Sequence, residues 1–280
     1  MKKKKNIFEI QEMRHRDEPF AVAVIYDYCW AKLVDQTEID MILCGDSMGM
    51  TVYGYDTTMP VTMEQLIDHC EAVRRGAPNT FLIADMPFGS YQESVEQSVH
   101  NAVRLIKETK ADAVKLEGGR AMCDRIRAIT DAGIVTFAHI GLTPQAAGIL
   151  GGHKTQAKTV ASARALIEDA LAVQEAGAKA VLVESVPAEV MAFLVKKLDI
   201  PVFGAGVPCD GFGFTCYDMF GMYDRTPKFV KVYDDFKNAI IEGYNKFAHD
   251  VKTKAYPQPE HAYHFSENLD ELNALFREYE

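Results

Sequence analysis

Four acidic residues of this 280-residue chain each close a short apolar run. They are Asp46 after residues 41–45, Asp85 after 81–84, Glu117 at the end of 113–117, and Glu184 after 180–183. In a parallel α/β barrel, the catalytic groups stand at the carboxyl ends of the strands. The repeated position therefore predicts a single site to which all four acids contribute.

Three of these acids, Asp46, Asp85 and Glu117, have the chemistry of a magnesium site. If they came together without a cation, their carboxylates would repel one another and their pKa values would rise. A divalent ion removes that repulsion, and a set of oxygen ligands favours Mg²⁺ over Zn²⁺. Taken singly, each acid is more often a helix N-cap, because Asp is a favoured cap. Their joint occurrence favours the metal site.

A lysine, a histidine and the fourth acid complete the candidates. Lys115 lies two residues before Glu117, so both side chains point to the same side of a strand. Lys115 is expected to bind an anionic substrate, and a structural ion pair with Glu117 is the alternative. His139 ends a strand, and it is equally expected to line a pocket or to be a core residue with its hydrogen bonds satisfied. Glu184, among apolar neighbours, would have a raised pKa and act as a general base, with an ordinary helix cap as the alternative.

The elements that must position these residues alternate between strand and helix patterns, which predicts an α/β fold, a single (β/α)8 TIM barrel. The predicted strands cover residues 20–27, 41–45, 81–85, 113–117, 134–139, 180–185, 201–205 and 214–217. The predicted helices cover 63–76, 95–106, 122–129 and 157–176, and a capping box of Thr62 and Gln65 opens the first. A GxGxxG turn is absent from the sequence, which disfavours an open doubly wound sheet.

Three parts are predicted along the chain: an N-terminal segment over residues 1–19, a catalytic barrel over 20–250 and a C-terminal helical arm over 251–280. Beyond the barrel, Pro257 and Pro259 break any helix, and apolar spacing predicts a last helix over 269–276. The arm is expected to pack outside the barrel or on a neighbouring subunit. The basic run at residues 2–5 is expected to be a solvated, frayed terminus.

Charge and composition exclude several classes of protein. The formal net charge of −10 argues against nucleic-acid binding, which needs a basic face. The sequence has neither an apolar stretch near the roughly 18 residues of a membrane span nor a secretory signal, so a cytoplasmic location is expected. The six cysteines lie far apart without a CxxC pair, which excludes the common zinc spacings.

Five ordered motifs make the sequence resemble the ketopantoate hydroxymethyltransferase family. They are CGDSMGMTVYGYDTTMPVT at 44–62, ADMPFGSYQ at 84–92, KLEGG at 115–119, HIGLTPQ at 139–145 and VESVPAE at 183–189. The likeness runs from Tyr26 to Tyr263, nearly the whole chain. Motifs of this length in the same order are rarely coincidental.

The resemblance implies roles for individual residues. The Mg²⁺ ligands would be Asp46, Asp85 and Glu117. The 2-oxo acid would be bound by Asp46, Ser47, Asp85, Lys115 and His139. Glu184 corresponds to the proton acceptor of the family. These roles agree with the chemistry expected from the residue types.

The resemblance also implies a reaction and an assembly. A one-carbon unit from 5,10-methylenetetrahydrofolate would be transferred to the enolate of a 2-oxo acid, 3-methyl-2-oxobutanoate, in a Mg²⁺-dependent reaction. The product would be 2-dehydropantoate, on the way to pantothenate and coenzyme A. The family further implies a homo-oligomer, often a decamer.

Departures from the family pattern fall at Val24 in the first strand, at Val207 in the segment 202–208, and at Phe212, where the family has glutamine. Phe212 removes two donors and an acceptor from its loop. These differences suggest a changed 2-oxo acid preference or altered folate docking as an alternative function.

Two other hypotheses for the function remain. One is a carbon–carbon bond enzyme resembling the phosphoenolpyruvate mutase and isocitrate lyase group, which shares a Gly-Asp-Ser strand end, although the Lys-x-x-Cys-Gly loop expected of its lyases is absent from the sequence. The other is a non-catalytic binding paralogue. Retention of the proposed metal ligands, Lys115 and Glu184 speaks against the second.

Overall fold

The computed structural model describes residues 2–205 and 207–280. Over these residues, eight parallel strands pair in sequence order and close into one barrel, because β8 returns to pair with β1. The strands are β1 Phe20–Val24, β2 Met41–Cys44, β3 Phe81–Asp85, β4 Ala113–Glu117, β5 Thr136–Gly141, β6 Ala180–Glu184, β7 Val202–Gly204 and β8 Gly211–Thr215. The predicted TIM barrel is confirmed.

Of the described helices, one precedes the first strand, and the others follow strands or lie beyond the last strand. The helices are α1 Ile7–His15, α2 Tyr28–Val34, α3 Met48–Thr51, α4 Met63–Gly76, α5 Val95–Thr109, α6 Cys123–Asp131, α7 Ala147–Leu150, α8 Val160–Glu175, α9 Ala188–Lys197, α10 Cys216–Met219, α11 Phe236–Lys252 and α12 Leu269–Arg277. The Thr62–Gln65 capping box is formed at the start of α4. Within the described ranges, none of these helices is long and apolar enough to cross a membrane.

The strands are short apolar runs, and most of their residues are buried because the barrel interior covers one face and the helices cover the other. Their register sets the site. Asp85 on β3 pairs with Lys115 on β4, and Glu117 on β4 pairs with His139 on β5. Residues distant in sequence therefore become neighbours at the carboxyl end of the barrel.

The last strand lies earlier than the predicted 214–217. Gly211–Thr215 pairs with all five residues of β1, and α10 begins at Cys216. A side chain at Gly213 would meet Val22 at 2.7 Å, so a glycine is needed where these two strands approach. Glycine has low strand propensity, which is why the apolar pattern alone placed the strand too late.

The prediction of a frayed N-terminus is wrong. Lys2 donates to the carbonyl of Ile39 and to the hydroxyl of Thr80, at 2.9 Å in the latter case. Lys4 pairs with Asp112 at 2.6 Å, and Lys5 pairs with Asp40 at 2.7 Å. These acids precede β4 and β2, so the basic run is matched to acids at the amino ends of the strands.

Helix α1 covers this amino end of the barrel with Ile7, Ile10 and Met13 buried. From its last turn, the Arg14 guanidinium pairs with Asp210 at 2.8 Å. It also donates to backbone carbonyls at the ends of α9 and before β7, those of Val195, Leu198 and Ile200. The sequence pattern did not predict α1 because the exposed Phe8 lies among the buried Ile7, Ile10 and Met13 and obscures the apolar face.

The C-terminal region contains the predicted last helix, found as Leu269–Arg277. Helix α11 has 17 residues, and none of them is buried. The division into segments 1–19, 20–250 and 251–280 stays a prediction.

Candidate active site

A cavity of about 330 Å³ lies at the carboxyl ends of the barrel strands. Every side chain predicted for the site lines it: Asp46, Ser47, Asp85, Lys115, Glu117, His139 and Glu184. The structure thus brings all of the candidate residues together. The barrel explains why, because each one lies within three residues of the carboxyl end of a strand.

Lys115 is the central cation of this cavity, and its side chain is only 4% exposed. Its Nζ lies 2.9 Å from Asp85 Oδ2 and 3.7 Å from Glu117 Oε1. Burial lowers the pKa of Lys115, but the charges of Asp85, Glu117 and Asp46 outweigh burial and raise it overall. Lys115 therefore stays protonated and is held chiefly by Asp85, not by Glu117 as the sequence-based ion pair supposed.

His139 forms the second buried charged contact. Its Nδ1 lies 3.2 Å from Glu117 Oε1. Burial lowers the pKa of His139, but the Glu117 carboxylate outweighs burial and the pKa is raised to about 9. Burial raises the pKa of Glu117, but His139 and Lys115 lower it overall. His139 lines the cavity and its buried Nε2 makes no hydrogen bond to a described residue, so it is a pocket-wall residue and not a satisfied core residue.

Asp46 and Asp85 carry the unbalanced negative charge of the site. Both are buried, and the backbone N–H of Asp46 donates to Asp85 Oδ2 at 3.4 Å. Burial raises the pKa of Asp46 well above its ordinary value, and the charges of Asp85 and Glu117 raise it further. Burial also raises the pKa of Asp85, despite its contact with Lys115. Another cation at this place would favour the ionised form of both aspartates.

Glu184 ends β6 at the wall of the cavity, and its side chain is 26% exposed. Its Oε2 lies 3.3 Å from His139 Nε2. The expected enclosure by apolar side chains alone is therefore wrong, because a histidine faces the carboxylate. Because its side chain is partly exposed, Glu184 is accessible from the cavity.

Ser47 follows Asp46, and its hydroxyl lies 2.8 Å from that of Tyr26. Burial raises the pKa of Tyr26, so Tyr26 remains a neutral hydrogen-bonding group. This contact fixes the position of Ser47 at the start of α3.

Sequence reasoning missed two buried residues, Tyr91 and Gln145, which contact the acids of the site. The Tyr91 hydroxyl accepts from the backbone N–H of Glu117 at 3.1 Å. The Gln145 amide donates to Asp46 Oδ2 at 2.8 Å. Both residues lie inside motifs of the family resemblance, at the ends of ADMPFGSYQ and HIGLTPQ, and that position was the available signal.

The structure does not hold a ready-made metal centre. Within residues 2–205 and 207–280, no group of three or more His, Cys, Asp or Glu side chains is arranged to bind a metal ion. The donor chemistry nevertheless fits a hard divalent cation, since the site offers carboxylate oxygens whose mutual repulsion is not fully relieved. Asp46, Asp85 and Glu117 stay the predicted ligands.

The three departures from the family pattern lie in different places. Val24 lines the cavity, whereas Val207 is 63% exposed. Phe212 is partly buried on β8 and is not among the described residues that line the cavity. Gly206, within the segment 202–208, lies outside the described residues. Val24 is therefore the departure that can touch a substrate.

The sequence model of one family, ketopantoate hydroxymethyltransferase, matches residues 4–259. The chain belongs to this family. Relatives in this family are named hydroxymethyltransferases, which are transferases, so the chain is an enzyme of this class. The resemblance seen in the five motifs is confirmed over most of the chain.

Individual relatives match over their full length. The 3-methyl-2-oxobutanoate hydroxymethyltransferase of Alkaliphilus metalliredigens is 50% identical over 281 residues, covering 100% of both proteins. That of Heliobacterium modesticaldum is 46% identical and covers 99% of this chain and 100% of the relative. That of Bacillus subtilis is 44% identical and covers 97% and 99%.

Solved structures with similar folds are more distant in sequence. A phosphonopyruvate hydrolase in complex with oxalate and Mg²⁺ superposes with a TM-score of 0.59 at 15% identity, over 98% of this chain and 97% of that one. A phosphoenolpyruvate phosphomutase from Streptomyces platensis gives a TM-score of 0.60 at 17% identity, over 89% and 88%. At this level of identity the similarity shows a shared barrel fold and nothing more.

Proposed function

We propose that the protein transfers a hydroxymethyl group to 3-methyl-2-oxobutanoate in a Mg²⁺-dependent reaction. With 5,10-methylenetetrahydrofolate and water as the other reactants, the products are 2-dehydropantoate and tetrahydrofolate, on the way to pantothenate and coenzyme A. One observation carries the proposal: Asp46, Asp85, Lys115 and Glu184 converge in one cavity. The convergence occurs in a chain 50% identical to a protein named for this reaction.

The metal would be held by Asp46, Asp85 and Glu117. Their carboxylate oxygens suit Mg²⁺, and burial together with the neighbouring carboxylates raises the pKa values of Asp46 and Asp85, which a divalent cation would counter. When bound, Mg²⁺ supplies Lewis-acid chemistry that makes the C3 proton of a 2-oxo acid easier to remove.

Side chains of the protein carry out the other steps of the reaction. Glu184, at the open wall of the cavity, takes the C3 proton of the 2-oxo acid. The buried ammonium of Lys115 stabilises the negative charge of the resulting enolate, whose C3 bonds to the one-carbon unit. Water supplies the hydroxyl oxygen of that unit, and its two bonds to the folate nitrogens are broken to release tetrahydrofolate. Ser47, held by Tyr26, hydrogen-bonds the substrate, and His139 forms the wall between Glu117 and Glu184.

A turnover assay tests the proposal directly. The purified protein, given 3-methyl-2-oxobutanoate, 5,10-methylenetetrahydrofolate and Mg²⁺, is expected to form 2-dehydropantoate, measured by mass spectrometry. Chelation of Mg²⁺ with EDTA should abolish the product, and re-addition should restore it. Turnover that is unchanged by chelation would contradict the metal dependence, and absence of product under all conditions would contradict the function.

A changed substrate is the second candidate, and the position of Val24 at the cavity favours it. A panel of 2-oxo acids with different C3 substituents decides between the two. Highest kcat/KM with 3-methyl-2-oxobutanoate would contradict the changed preference. A clear optimum with another acid would support it while leaving the reaction class intact.

The two remaining alternatives receive less support. Similarity to phosphoenolpyruvate mutase-like proteins is limited to the fold, at 15–17% identity, against 50% for a hydroxymethyltransferase. A non-catalytic paralogue would not need the buried Lys115–Asp85 pair, whose burial is costly without a function.

We also propose that the protein is a cytoplasmic homo-oligomer. Apolar side chains of α11 lie exposed at helical spacing: Ile240, Tyr244, Phe247 and Val251. A second copy of the chain is the occupant that the family implies for such a face. Nucleic acid is not expected as a partner because the net charge is −10, and a membrane is not expected because the sequence lacks an apolar stretch of roughly 18 residues.

A further inference from the structure

Gln145 contacts two of the proposed metal ligands, one through its side chain and one through its backbone. It lies after β5 in the short 3₁₀ segment Pro144–Ala146 and is 4% exposed. Its Nε2 donates to Asp46 Oδ2 at 2.8 Å, and its backbone N–H donates to Glu117 Oε2 at 3.0 Å. One residue thus holds a carboxylate that follows β2 and another that ends β4.

The orientation of the Gln145 amide is fixed by its surroundings. Nε2 also donates to the carbonyl of Met86 at 2.9 Å, and a carbonyl can only accept, so the nitrogen must face this side. On the other side, Oε1 accepts from the Tyr91 hydroxyl at 2.6 Å and from Gln92 Nε2 at 3.3 Å. Rotation of the amide would break these contacts in a buried site, which is costly.

A neutral amide is suited to this place for an electrostatic reason. A lysine or arginine at the same position would neutralise Asp46 and compete with a metal ion, whereas an amide donor orients the carboxylate and keeps its charge. The Tyr91 hydroxyl extends the network, because it accepts from the backbone N–H of Glu117 while it donates to Gln145. Asp46 is therefore held by the Gln145 side chain, and Glu117 is held by the Gln145 backbone and the Tyr91 hydroxyl.

We propose that Gln145 is a positioning residue that orients Asp46 and Glu117 for Mg²⁺, with Tyr91 fixing its amide. It acts through these carboxylates and not on the substrate. The inference rests on the proposed function, because it assumes that the two acids bind the metal. Residues that orient metal ligands in this way typically contribute about 10- to 100-fold to metal affinity or activity.

The test compares Gln145→Met with Gln174→Met. Methionine keeps the length of the side chain and removes its hydrogen bonds. Gln174 is a matched control, since its amide accepts from the backbone N–H groups of Asp199 and Ile200, at the amino end of β7 and away from the site. The Mg²⁺ dissociation constant is measured by calorimetry in the presence of 3-methyl-2-oxobutanoate, and the thermal midpoint is measured without metal.

We expect Gln145→Met to weaken Mg²⁺ binding by about 10-fold or more. Gln174→Met should lower the thermal midpoint and leave the Mg²⁺ affinity unchanged. An unchanged Mg²⁺ affinity in Gln145→Met, with only a lower midpoint, would overturn the inference and leave Gln145 a structural residue.

If Gln145→Met does not fold, Tyr91→Phe decides, because it removes the hydroxyl that donates to the Gln145 amide and accepts from the backbone N–H of Glu117. We expect it to weaken Mg²⁺ binding by about 2- to 10-fold, and an unchanged affinity would overturn the inference. Absence of Mg²⁺ binding by the unmodified protein would instead overturn the proposed function. The two failures are therefore distinguishable.

Discussion

His139 stands between two carboxylates that are expected to do different work. Its Nδ1 faces Glu117, which belongs to the proposed metal site, and its Nε2 faces Glu184, which is the proposed base. The two acids differ in exposure, since the Glu117 side chain is 3% exposed and that of Glu184 is 26% exposed. The partly exposed carboxylate of Glu184 can reach a substrate proton from the cavity. The buried carboxylate of Glu117 stays ionised because it lies next to cationic groups.

Replacement of the base by its amide tests this division at the scale of one residue. Glu184→Gln should lower the rate of C3 proton exchange of 3-methyl-2-oxobutanoate by about 100-fold or more, because the amide cannot accept the proton. The exchange is followed by NMR in deuterated water with Mg²⁺ and without folate. Glu189→Gln, an exposed acid of α9, is the control and should exchange at the normal rate. Unimpaired exchange in Glu184→Gln would remove it from its role.

At the scale of elements, the contact between β5 and β6 positions the base. Gly141 pairs with Glu184, and a Cβ at Gly141 would lie 2.4 Å from the Glu184 carbonyl oxygen. Only glycine permits this approach, and its φ of +89° also favours glycine.

Gly141→Ala should therefore displace Glu184 and lower kcat by about 100-fold, the effect of a misplacement near 1 Å. Gly133→Ala is the matched control, because Gly133 has a similar φ of +87° and an added Cβ would meet nothing within 4 Å. Both variants should lose stability through backbone strain, but only Gly141→Ala should lose activity. Equal kcat values in the two variants, measured in the turnover assay, would contradict the positioning role.

The contact of α1 with the amino end of the barrel predicts a stability effect. Arg14 and Asp210 are each 12% exposed, so Arg14→Met leaves a largely buried carboxylate and several carbonyls without their donor. The free energy of unfolding should fall by about 3 kcal/mol, measured by urea denaturation. The control is Arg16→Met, which removes an exposed pair with Glu18 at 3.6 Å and should cost under about 1 kcal/mol. Similar losses in both variants would contradict the proposed stabilising contact.

At the scale of the whole molecule, α11 presents an apolar surface that the chain itself does not cover. Tyr244 is 72% exposed and Phe247 is 55% exposed. If a second copy covers this face, the double substitution Tyr244→Glu with Phe247→Glu should lower the mass measured by sedimentation velocity, because buried charges oppose association. Asn245→Glu, on the same helix but another face, should keep the mass. A monomeric unmodified protein, or a double variant of unchanged mass, would contradict the interface.

Much of the site could be predicted from the sequence because strand ends are local features. An apolar run predicts a strand, and the residues at its end lie at the carboxyl end of the barrel. Because the strands are parallel, all of these ends meet at one face. Asp46, Asp85, Lys115, Glu117 and Glu184 were therefore placed in one site before any distance was known. The five motifs likewise identified the family.

The partners of these residues were decided only by the tertiary structure. A period of two gives the side of the strand on which Lys115 lies, but the register between β3 and β4 gives Asp85 as its nearer partner. Loop residues such as Gln145 reach Asp46 only because the barrel closes, which no local pattern encodes. The same closure placed Arg14 and the basic run against the amino ends of the strands. Sequence thus determined which groups are present and at which end, and the long-range pairing of the strands determined which atoms meet.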